Sequence, residues 1–323
     1  MDLSIIIINF NTNQLVLDCI ESIYRETKSI SFEILVIDNN SQRQNPHLIK
    51  ETYPEIELVL SNKNVGFGIA NNIGIKRAMG RYVLLLNPDT LIEDRALDKT
   101  LSFMDTTEAK SNNIGLVGCT LLNKDLTFQN STFTSSNIHS YLINSNPIFS
   151  RVKKYFKTPR NFDYTQTQEV GGVSGACMFF RKEVFEKVKA FDPDIFMYSE
   201  ETELCRNRIS KYYNIVYWPG AKIIHYQGQS APKPILHYQN MLSYALTWYK
   251  SGWRHYSFYV IYSLINLATI AFLRFFFKTA RQGSMELTYN GYKKIMKYWF
   301  GEIPKYSREW GSRPSPLRLP ELK

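Results

Sequence analysis

The chain contains the stretch Arg81-Tyr82-Val83-Leu84-Leu85-Leu86-Asn87-Pro88-Asp89-Thr90, in which a run of apolar residues ends in a turn. A continuous apolar run is typical of a parallel strand that is buried on both faces of its sheet. Asn-Pro-Asp stops such a strand and turns the chain. Asp89 is then left at the carboxyl end of the strand, where open α/β sheets bind their ligands. A carboxylate there can hold a divalent cation against a diphosphate, although the same residues also suit an ordinary turn.

Apolar runs on both sides of this stretch predict further strands, and helical patterns lie between them. The predicted strands are 3–10, 33–38, 56–60, 81–87, 115–118, 120–122, 215–218 and 222–225. The predicted helices include 65–79 and 93–104. Alternation of strands with helices predicts a mostly parallel, doubly wound α/β sheet with helices on both faces. Residues 127–168, which are rich in Ser, Thr, Asn and Pro, are expected to form a long excursion.

Polar residues follow each of the first four strands, namely Asn11, Asp38, Asn64 and Asp89. In a doubly wound sheet these strand ends share one edge, so they can line a single crevice. An acid after the second strand can accept a hydrogen bond from a ribose or a base, and the glycines after Asn64 let a helix N-terminus approach a ligand. The full GxGxxG fingerprint is absent, so Asp38 remains equally compatible with a turn and Gly66 with a simple helix start.

Three carboxylates, Glu200, Glu201 and Glu203, follow an aromatic run. A helix that begins near Ser199 would be capped by it, and acids in its first turn would be favoured by the helix dipole. That explanation accounts for one or two of the acids, so we expect at least one to face a pocket, where it could deprotonate an acceptor hydroxyl. His225 ends a predicted strand; it is either a structural residue or a partner for Asp89 on one cation, because imidazole suits Mn²⁺-like metals.

Composition restricts the class of protein. The 323 residues suffice for one large α/β domain with an appendage, and 44% of them are hydrophobic. Four cysteines lie far apart without a CxxC pair, which excludes the usual zinc and disulfide patterns and suits a reducing compartment. The N-terminus enters a strand-like run directly, so no signal peptide is expected.

The net charge of +10 is concentrated in the last part of the chain. Residues 250–323 hold 13 Lys and Arg against 4 Asp and Glu, whereas the preceding residues are nearly balanced. Residues 256–273 are uncharged and rich in aromatic side chains, and basic residues follow at once. This pattern favours a membrane surface over nucleic acid as the binding partner of the basic residues, and no nucleic-acid partner is expected. We expect residues 254–281 to contact the membrane through a shallowly inserted helix. The alternatives are a helix packed on the main domain or an oligomer contact. We therefore expect domains at 1–250 and 251–323.

Taken in order, the motifs resemble those of the family 2 glycosyltransferases of the GT-A fold, a Rossmann-like α/β fold, and within them the bacterial rhamnosyltransferase-like branch. The resemblance covers about residues 3 to 250. Its markers are Ser4-Ile5-Ile6-Ile7, Val36-Ile37-Asp38-Asn39-Asn40-Ser41, Asn64-Val65-Gly66-Phe67 with Ala70-Asn71-Asn72-Gly74, Leu86-Asn87-Pro88-Asp89, Gly172-Val173-Ser174-Gly175-Ala176, Phe196-Met197-Tyr198 with Glu200-Glu201, and His225-Gly228-Ser230.

The resemblance implies a role for each group of residues. The donor, a dTDP- or UDP-linked sugar, would be bound by Asn9, Asn11, Asp38, Asn40, Asn64, Gly66, Phe67, Asn71, Asn87 and Asp89. Asp89 would hold Mn²⁺ or Mg²⁺ on the diphosphate, with His225 as a further ligand. The acceptor side would be shaped by Gly172, Ser174, Gly175 and Tyr198. The acceptor would be a saccharide or a polyprenyl-diphosphate-linked sugar in bacterial surface polysaccharide synthesis, and L-rhamnose is the sugar that the resemblance favours.

Two positions depart from the family pattern. Glu201 stands where the family usually has the aspartate that acts as base in inverting transfer, and Glu200 is the fallback. Asn87 replaces the first acid of the family's DxD, so Asp89 is left as the carboxylate for the metal. A catalytically silent NDP-sugar-binding scaffold therefore stays an alternative. A nucleotidyltransferase is disfavoured, because residues 9–13 contain neither glycine nor a basic residue. The expected location is the cytoplasm, peripheral on the cytoplasmic face of the inner membrane, and a homo-oligomer is possible.

Overall fold

A large mixed sheet organises most of the chain in the computed structural model, which describes residues 1–133, 162–226, 234–277 and 282–322 apart from 309, 312 and 314. The strands are β1 (Leu3–Asn9), β2 (Phe32–Asp38), β3 (Glu57–Leu60), β4 (Tyr82–Leu86), β5 (Thr90–Ile92), β6 (Ile114–Leu122), β7 (Phe128–Gln129), β8 (Thr132–Phe133), β9 (Gln168–Glu169), β10 (Gly172–Val173), β11 (Cys177–Arg181) and β12 (Asn214–His225). The helices are α1 (Asn13–Glu26), α2 (His47–Thr52), α3 (Phe67–Arg77), α4 (Ala96–Asp105), α5 (Thr107–Ser111), α6 (Glu183–Val188), α7 (Glu200–Glu203), α8 (Pro234–Lys250), α9 (Trp253–Phe276) and α10 (Gly283–Phe300).

The strand order is β3-β2-β1-β4-β11-β6-β12-β5. Strands β3, β2, β1 and β4 are parallel, β11 is antiparallel to both neighbours, and β12 runs parallel to β6. The order of the strands reverses between β1 and β4, and such a switch point opens a crevice at the carboxyl edge of the sheet. The predicted mostly parallel α/β fold is therefore confirmed.

Both faces of the sheet are buried, as the apolar strand patterns predicted. Ile5 and Ile7 of β1 belong to one apolar cluster, which includes α1. Ile6 and Ile8 belong to a second cluster, which includes α3. Alternate residues of a strand point to opposite faces, so helices cover the sheet on each side.

Two pairs of predicted strands are single strands in the structure. Residues 115–118 and 120–122 both lie in β6, and residues 215–218 and 222–225 both lie in β12. The register of β12 against β6 shifts between Trp218 and Lys222. A bulge lets a strand continue past residues that read as a turn, here Pro219 and Gly220. The four cysteines are free and buried, in agreement with the sequence analysis.

The described residues form two compact units. The first comprises the described parts of 1–135, 164–191 and 200–230, and the second comprises 162–163, 192–199 and the described residues from 234 onward. Helix α8 therefore packs with the helices that follow it, whereas the sequence analysis placed the boundary at residue 250. The division into domains 1–250 and 251–323 stays a prediction. The expected excursion at 127–168 and the proposed membrane segment lie partly outside the described residues.

The second unit is built around three helices with an aromatic core. Trp248 of α8, Tyr259 of α9 and Trp299 of α10 are all almost fully buried in it. Helices α9 and α10 are antiparallel: the hydroxyl of Tyr256 donates to the carbonyl oxygen of Trp299 at 2.7 Å, and Asn266 Nδ2 donates to Tyr292 Oη at 3.2 Å.

A buried ionic cluster joins three segments of this second unit. Lys250 Nζ lies 2.7 Å from Asp192 Oδ2 and 2.6 Å from Asp194 Oδ2, and all three side chains are almost fully buried. Backbone N–H groups of Gly311 and Arg313 donate to the remaining oxygens of the two carboxylates. The cluster thus ties residues 192–194 to the end of α8 and to the C-terminal residues.

Candidate active site

The pairing of strands β5 and β12 brings Asp89 and His225 together. The two strands are antiparallel with His225 opposite Thr90, and Tyr226 N–H donates to the carbonyl oxygen of Asp89 at 2.9 Å. His225 Nε2 lies 3.3 Å from Asp89 Oδ1, and the side chains are 9% and 17% exposed. The two residues that the sequence analysis placed on one cation are therefore neighbours.

Gln129 holds the imidazole of His225 from its other side. Its Nε2 donates to Asn123 Oδ1 at 2.9 Å and to the carbonyl oxygen of His225 at 3.3 Å. Its Oε1 then faces His225 Nδ1 at 2.7 Å, which requires a proton on Nδ1. Sequence reasoning missed Gln129, because only the pairing of β7 with β6 carries it to this place.

The donor set fits a divalent cation. A neutral imidazole with its proton on Nδ1 turns the Nε2 lone pair toward the carboxylate of Asp89, and this contact is favourable only with a proton or a cation in between. A carboxylate oxygen and an imidazole nitrogen suit Mn²⁺. Among the described residues no group of three or more His, Cys, Asp or Glu converges, so phosphate oxygens and water would complete the coordination.

The ends of β1 and β2 are tied together by side chains. Asn9 Nδ2 donates to Asp38 Oδ1 and to Asn13 Oδ1, both at 2.8 Å, and Asn9 is fully buried. Ser41 donates to Asp38 through its hydroxyl at 2.6 Å and its N–H at 2.9 Å. This geometry favours a positioning role for Asn9, whereas Asp38 keeps one lone pair on Oδ2 for a ligand.

The predicted donor residues Asn11 and Asn40 lie in this same turn. Both have left-handed backbones, with φ of 58° and 65°. Asn11 Oδ1 accepts from the N–H groups of Gln42 and Arg43 at 2.9 and 2.8 Å, while Asn40 Oδ1 accepts from the side chain of Gln42. Asparagine tolerates this conformation and bonds to nearby backbone, so these residues shape the loop.

A second asparagine network shapes the entry to α3. Asn39 Oδ1 accepts from Val65 N–H at 2.9 Å, and Asn39 Nδ2 donates to Asn64 Oδ1 at 3.0 Å. Asn64 Oδ1 also accepts from Gly66 N–H, and Gly66 has φ 87° and ψ 172°, a conformation that is essentially confined to glycine. Asn39 was not among the predicted donor-binding residues, although its place directly after β2 was a usable signal.

Around the N-terminal turn of α3 the predicted donor and acceptor residues meet. The ring of Phe67 lies 3.8 Å from the place of a Cβ on Gly175. A Cβ on Gly68 would lie 3.4 Å from Glu200 Cγ. Asn71 is buried and donates to the carbonyl oxygen of Phe67 at 3.0 Å, so it stabilises the turn. On the other side, Asn87 N–H donates to the carbonyl oxygen of Ala176 at 3.0 Å, which joins the Asp89 turn to the same loop.

The acids of α7 have different environments. Glu200 is 2% exposed, and its Oε1 has no hydrogen-bond partner among the described residues. Burial raises its pKa well above the ordinary value, and the neighbouring Glu201 carboxylate raises that pKa further. Burial also raises the pKa of Glu201, which is partly exposed. Glu203 instead pairs with Arg208 at 2.5 Å and is structural.

The backbone around these acids differs from the expected helix start. Ser199 has φ 67°, so it lacks the extended conformation of a capping residue, and that prediction was wrong. Helix α7 continues into a π-helical turn at Leu204–Arg208, a feature that is frequent at functional sites.

On the predicted acceptor side, Gly172 is required by the fold, since a Cβ there would lie 2.1 Å from the ring of Phe133. Ser174 N–H donates to the carbonyl oxygen of Ser131 at 2.8 Å, which fixes the loop that leads to Gly175. Helix α7 packs beside β10 in this unit. Tyr198 belongs to the second unit, so its place on the acceptor side stays a prediction.

The fold and this sheet edge define a protein of the GT-A type. The structure of GalNAc-T7 with UDP, GalNAc and Mn²⁺ superposes with a TM-score of 0.58 at 14% identity, over 94% of this chain and 57% of that one. The mannosyltransferase PcManGT from Pyrobaculum calidifontis, in complex with GDP-Man and Mn²⁺, superposes with a TM-score of 0.54 at 14% identity, over 94% of this chain and 82% of that one. At these identities the likeness shows the fold.

The family follows from the sequence. The profile of the family described as Glycosyl transferase family 2 matches residues 4–189, and the chain belongs to this family.

Curated relatives are similar at modest identity. The O-antigen biosynthesis protein RfbC of Myxococcus xanthus is 26% identical over 65% of this chain and 16% of its own length. The N-acetylglucosaminyl-diphospho-decaprenol L-rhamnosyltransferase of Mycobacterium tuberculosis is 25% identical over 61% of this chain and 67% of its own length. The chain thus spans only a small part of the first relative.

Proposed function

We propose that the protein is an inverting glycosyltransferase that moves a sugar from a dTDP- or UDP-linked donor to a hydroxyl of a saccharide or lipid-linked acceptor. The observation that carries the proposal is the Asp89–His225 pair, 3.3 Å apart, at the edge that also holds the buried Glu200 and the partly exposed Glu201. At this edge, Asp89 and His225 are suited to binding a diphosphate through a cation, and the two glutamates are suited to removing a proton. The name of the Mycobacterium relative supports L-rhamnose as the sugar and a polyprenyl-diphosphate-linked acceptor.

The donor is proposed to lie across the switch point between β1 and β4. Asp38 Oδ2 can accept from the nucleoside, and the N-terminal turn of α3, opened by Gly66, can face the phosphates with the N–H groups that have no partner within a helix. Asp89 and His225 would hold the cation there. A bound Mn²⁺ or Mg²⁺ would offset the negative charge that develops on the departing nucleoside diphosphate.

Glu201 is proposed as the general base. A base must be ionised and must reach the acceptor, and Glu201 is the more exposed carboxylate of the pair. Glu200 is buried without a hydrogen-bond partner for Oε1 among the described residues, so it holds a proton more tightly. As the acceptor hydroxyl attacks the anomeric carbon from the face opposite the diphosphate, Glu201 takes its proton, and one displacement inverts the configuration.

The acceptor is proposed to be lipid-linked, and the enzyme is proposed to work at the cytoplasmic face of the inner membrane. The basic, aromatic residues 254–281 support this part of the proposal. A homo-oligomer stays a prediction without a structural argument.

A donor panel tests the proposed function. Purified protein is incubated with dTDP-L-rhamnose, UDP-glucose, UDP-galactose, UDP-N-acetylglucosamine and GDP-mannose, each with Mn²⁺, Mg²⁺ or EDTA. Release of nucleoside diphosphate and the shift in melting temperature are both measured. We expect one donor to stabilise the protein and to be hydrolysed slowly with metal. Stabilisation without turnover, with any acceptor extract added, would instead support the silent scaffold.

A further inference from the structure

Helix α9 is apolar on its exposed side as well as on its buried side. Its exposed stripe is made of residues at helical spacing and contains Ile261, Leu264, Ile265, Phe272, Phe275 and Phe276, which are between 38% and 77% exposed. Its buried side contains the core residues Tyr259, Val260 and Ile270 together with the polar Ser263 and Asn266, which are both 0% exposed. A surface helix of a soluble protein normally has charged and polar residues on its outer side. The outer surface of α9 is therefore built to meet an apolar medium.

We propose that this exposed stripe of α9 docks the protein in the plane of an anionic lipid bilayer. The proposal deepens the proposed function, on which it rests for the lipid-linked acceptor, by naming the surface and its orientation. The stripe runs along a helix of 24 residues, about 36 Å at 1.5 Å per residue. The exposed Arg254 lies near its N-terminal end, as in helices that lie at the headgroup boundary.

Charge favours a bilayer over a second copy of the chain. Residues 251–285, which include α9, contain four Lys and Arg and no Asp or Glu. A two-fold dimer through α9 would bring this basic stretch against itself, and like charges at such a contact are repulsive. An anionic lipid surface supplies the opposite charge.

The packing of α10 against α9 determines whether α9 lies in the plane of the membrane or crosses it. Helix α9 is long and apolar enough to span a bilayer, and among the described residues it is the one helix that meets this test. However, the antiparallel α10 packs along it through Tyr292 and Trp299 and carries Lys293, Lys294 and Lys297. A spanning helix would either take these lysines into the hydrocarbon or expose Asn266 to it, and both are strongly unfavourable.

Vesicle flotation tests the proposal with the full chain. The test variant is Ile265→Asp with Phe272→Asp, at positions that are 53% and 61% exposed. The matched control is Met79→Asp with Leu126→Asp, at positions in the first unit that are 66% and 63% exposed. Vesicles contain either phosphatidylcholine alone or an equal mixture with phosphatidylglycerol.

We expect wild type and control to float with the anionic vesicles, less so at high salt, and the test variant to partition at least about tenfold more weakly. Equal binding of the test variant overturns the proposal. Absence of vesicle binding, with self-association in sedimentation that the test variant abolishes, also overturns it and identifies a second copy as the occupant. If the acidic variant does not fold, Ile265→Ser with Phe272→Ser replaces it as the test variant. Release of nucleotide from donors without vesicles is measured on the same proteins, so loss of docking is distinguishable from failure of the proposed function.

Discussion

Gln129 Oε1 lies 2.7 Å from His225 Nδ1, and this contact determines which ring nitrogen faces Asp89. Because Nδ1 must carry the proton, Nε2 is the atom left for a cation. Loss of a residue that orients a metal-ligating imidazole typically lowers metal affinity about 10- to 100-fold.

Substitution of Gln129 is expected to change metal affinity in a direction set by the new side chain. Gln129→Leu removes the acceptor for Nδ1 and should weaken Mn²⁺ binding about 10- to 100-fold. Gln129→Glu keeps the acceptor and makes the imidazole more basic, so it should bind Mn²⁺ at least as well as wild type. Electron paramagnetic resonance titration of free Mn²⁺ measures both. Equal affinities for all three proteins would remove Gln129 and His225 from the metal site.

Glu201→Gln should lower kcat about 10²- to 10⁴-fold, because the variant cannot accept the acceptor proton. Donor binding, measured by the thermal shift with the nucleotide sugar, should stay near the wild-type value. Glu200→Gln is the matched comparison and should retain kcat within about tenfold. The reverse result would assign the base to Glu200.

Glu200 should make stability depend on pH. Its pKa is raised in the folded protein by burial and then by Glu201, from an ordinary value of 4.5. The folded state therefore holds the proton more tightly than the unfolded chain, so this contribution to stability is complete below the ordinary pKa and is lost as the pH rises through the raised value. Glu200→Gln should melt higher than wild type at neutral pH, by several degrees, and should lose less stability as the pH rises above the ordinary pKa of 4.5.

The control for this pH series is Glu55→Gln, which removes one carboxylate from an exposed position of the same unit. Parallel stability curves for Glu200→Gln and wild type would show that Glu200 is ionised in the folded protein.

Lys250→Met should destabilise the second unit strongly, since it leaves the carboxylates of Asp192 and Asp194 buried without their ammonium partner. Loss of one partner of a buried ion pair typically lowers the free energy of unfolding by about 3–5 kcal/mol. The triple variant Lys250→Met, Asp192→Asn, Asp194→Asn removes all three charges and should recover much of that loss. Urea unfolding measures each protein, and equal stability of wild type and Lys250→Met would contradict the prediction.

The local pattern of apolar residues was sufficient to predict the strands and the residues at which they end. The central residues of β1, β2 and β4 are all apolar, as expected of strands that are covered on both faces. The same reasoning placed polar residues at one edge of the sheet, since parallel strands share their direction. The shared direction of strand ends explains why Asp38, Asn64 and Asp89 were found without any knowledge of contacts.

Other features depended on contacts between distant segments. The partnership of Asp89 with His225 needs the antiparallel pairing of β5 with β12, and Gln129 joins them only through β7. The prediction that Ser199 caps α7 was wrong because serine favours a helix start but does not determine the backbone angle at that position. Which side of α9 is exposed was likewise decided by its packing on α10, which took the polar Asn266 inward and left the phenylalanines outside. Apolar patterns act over a few residues and so determine elements and their ends, whereas register, hydrogen-bond partners and exposure arise only when the elements pack.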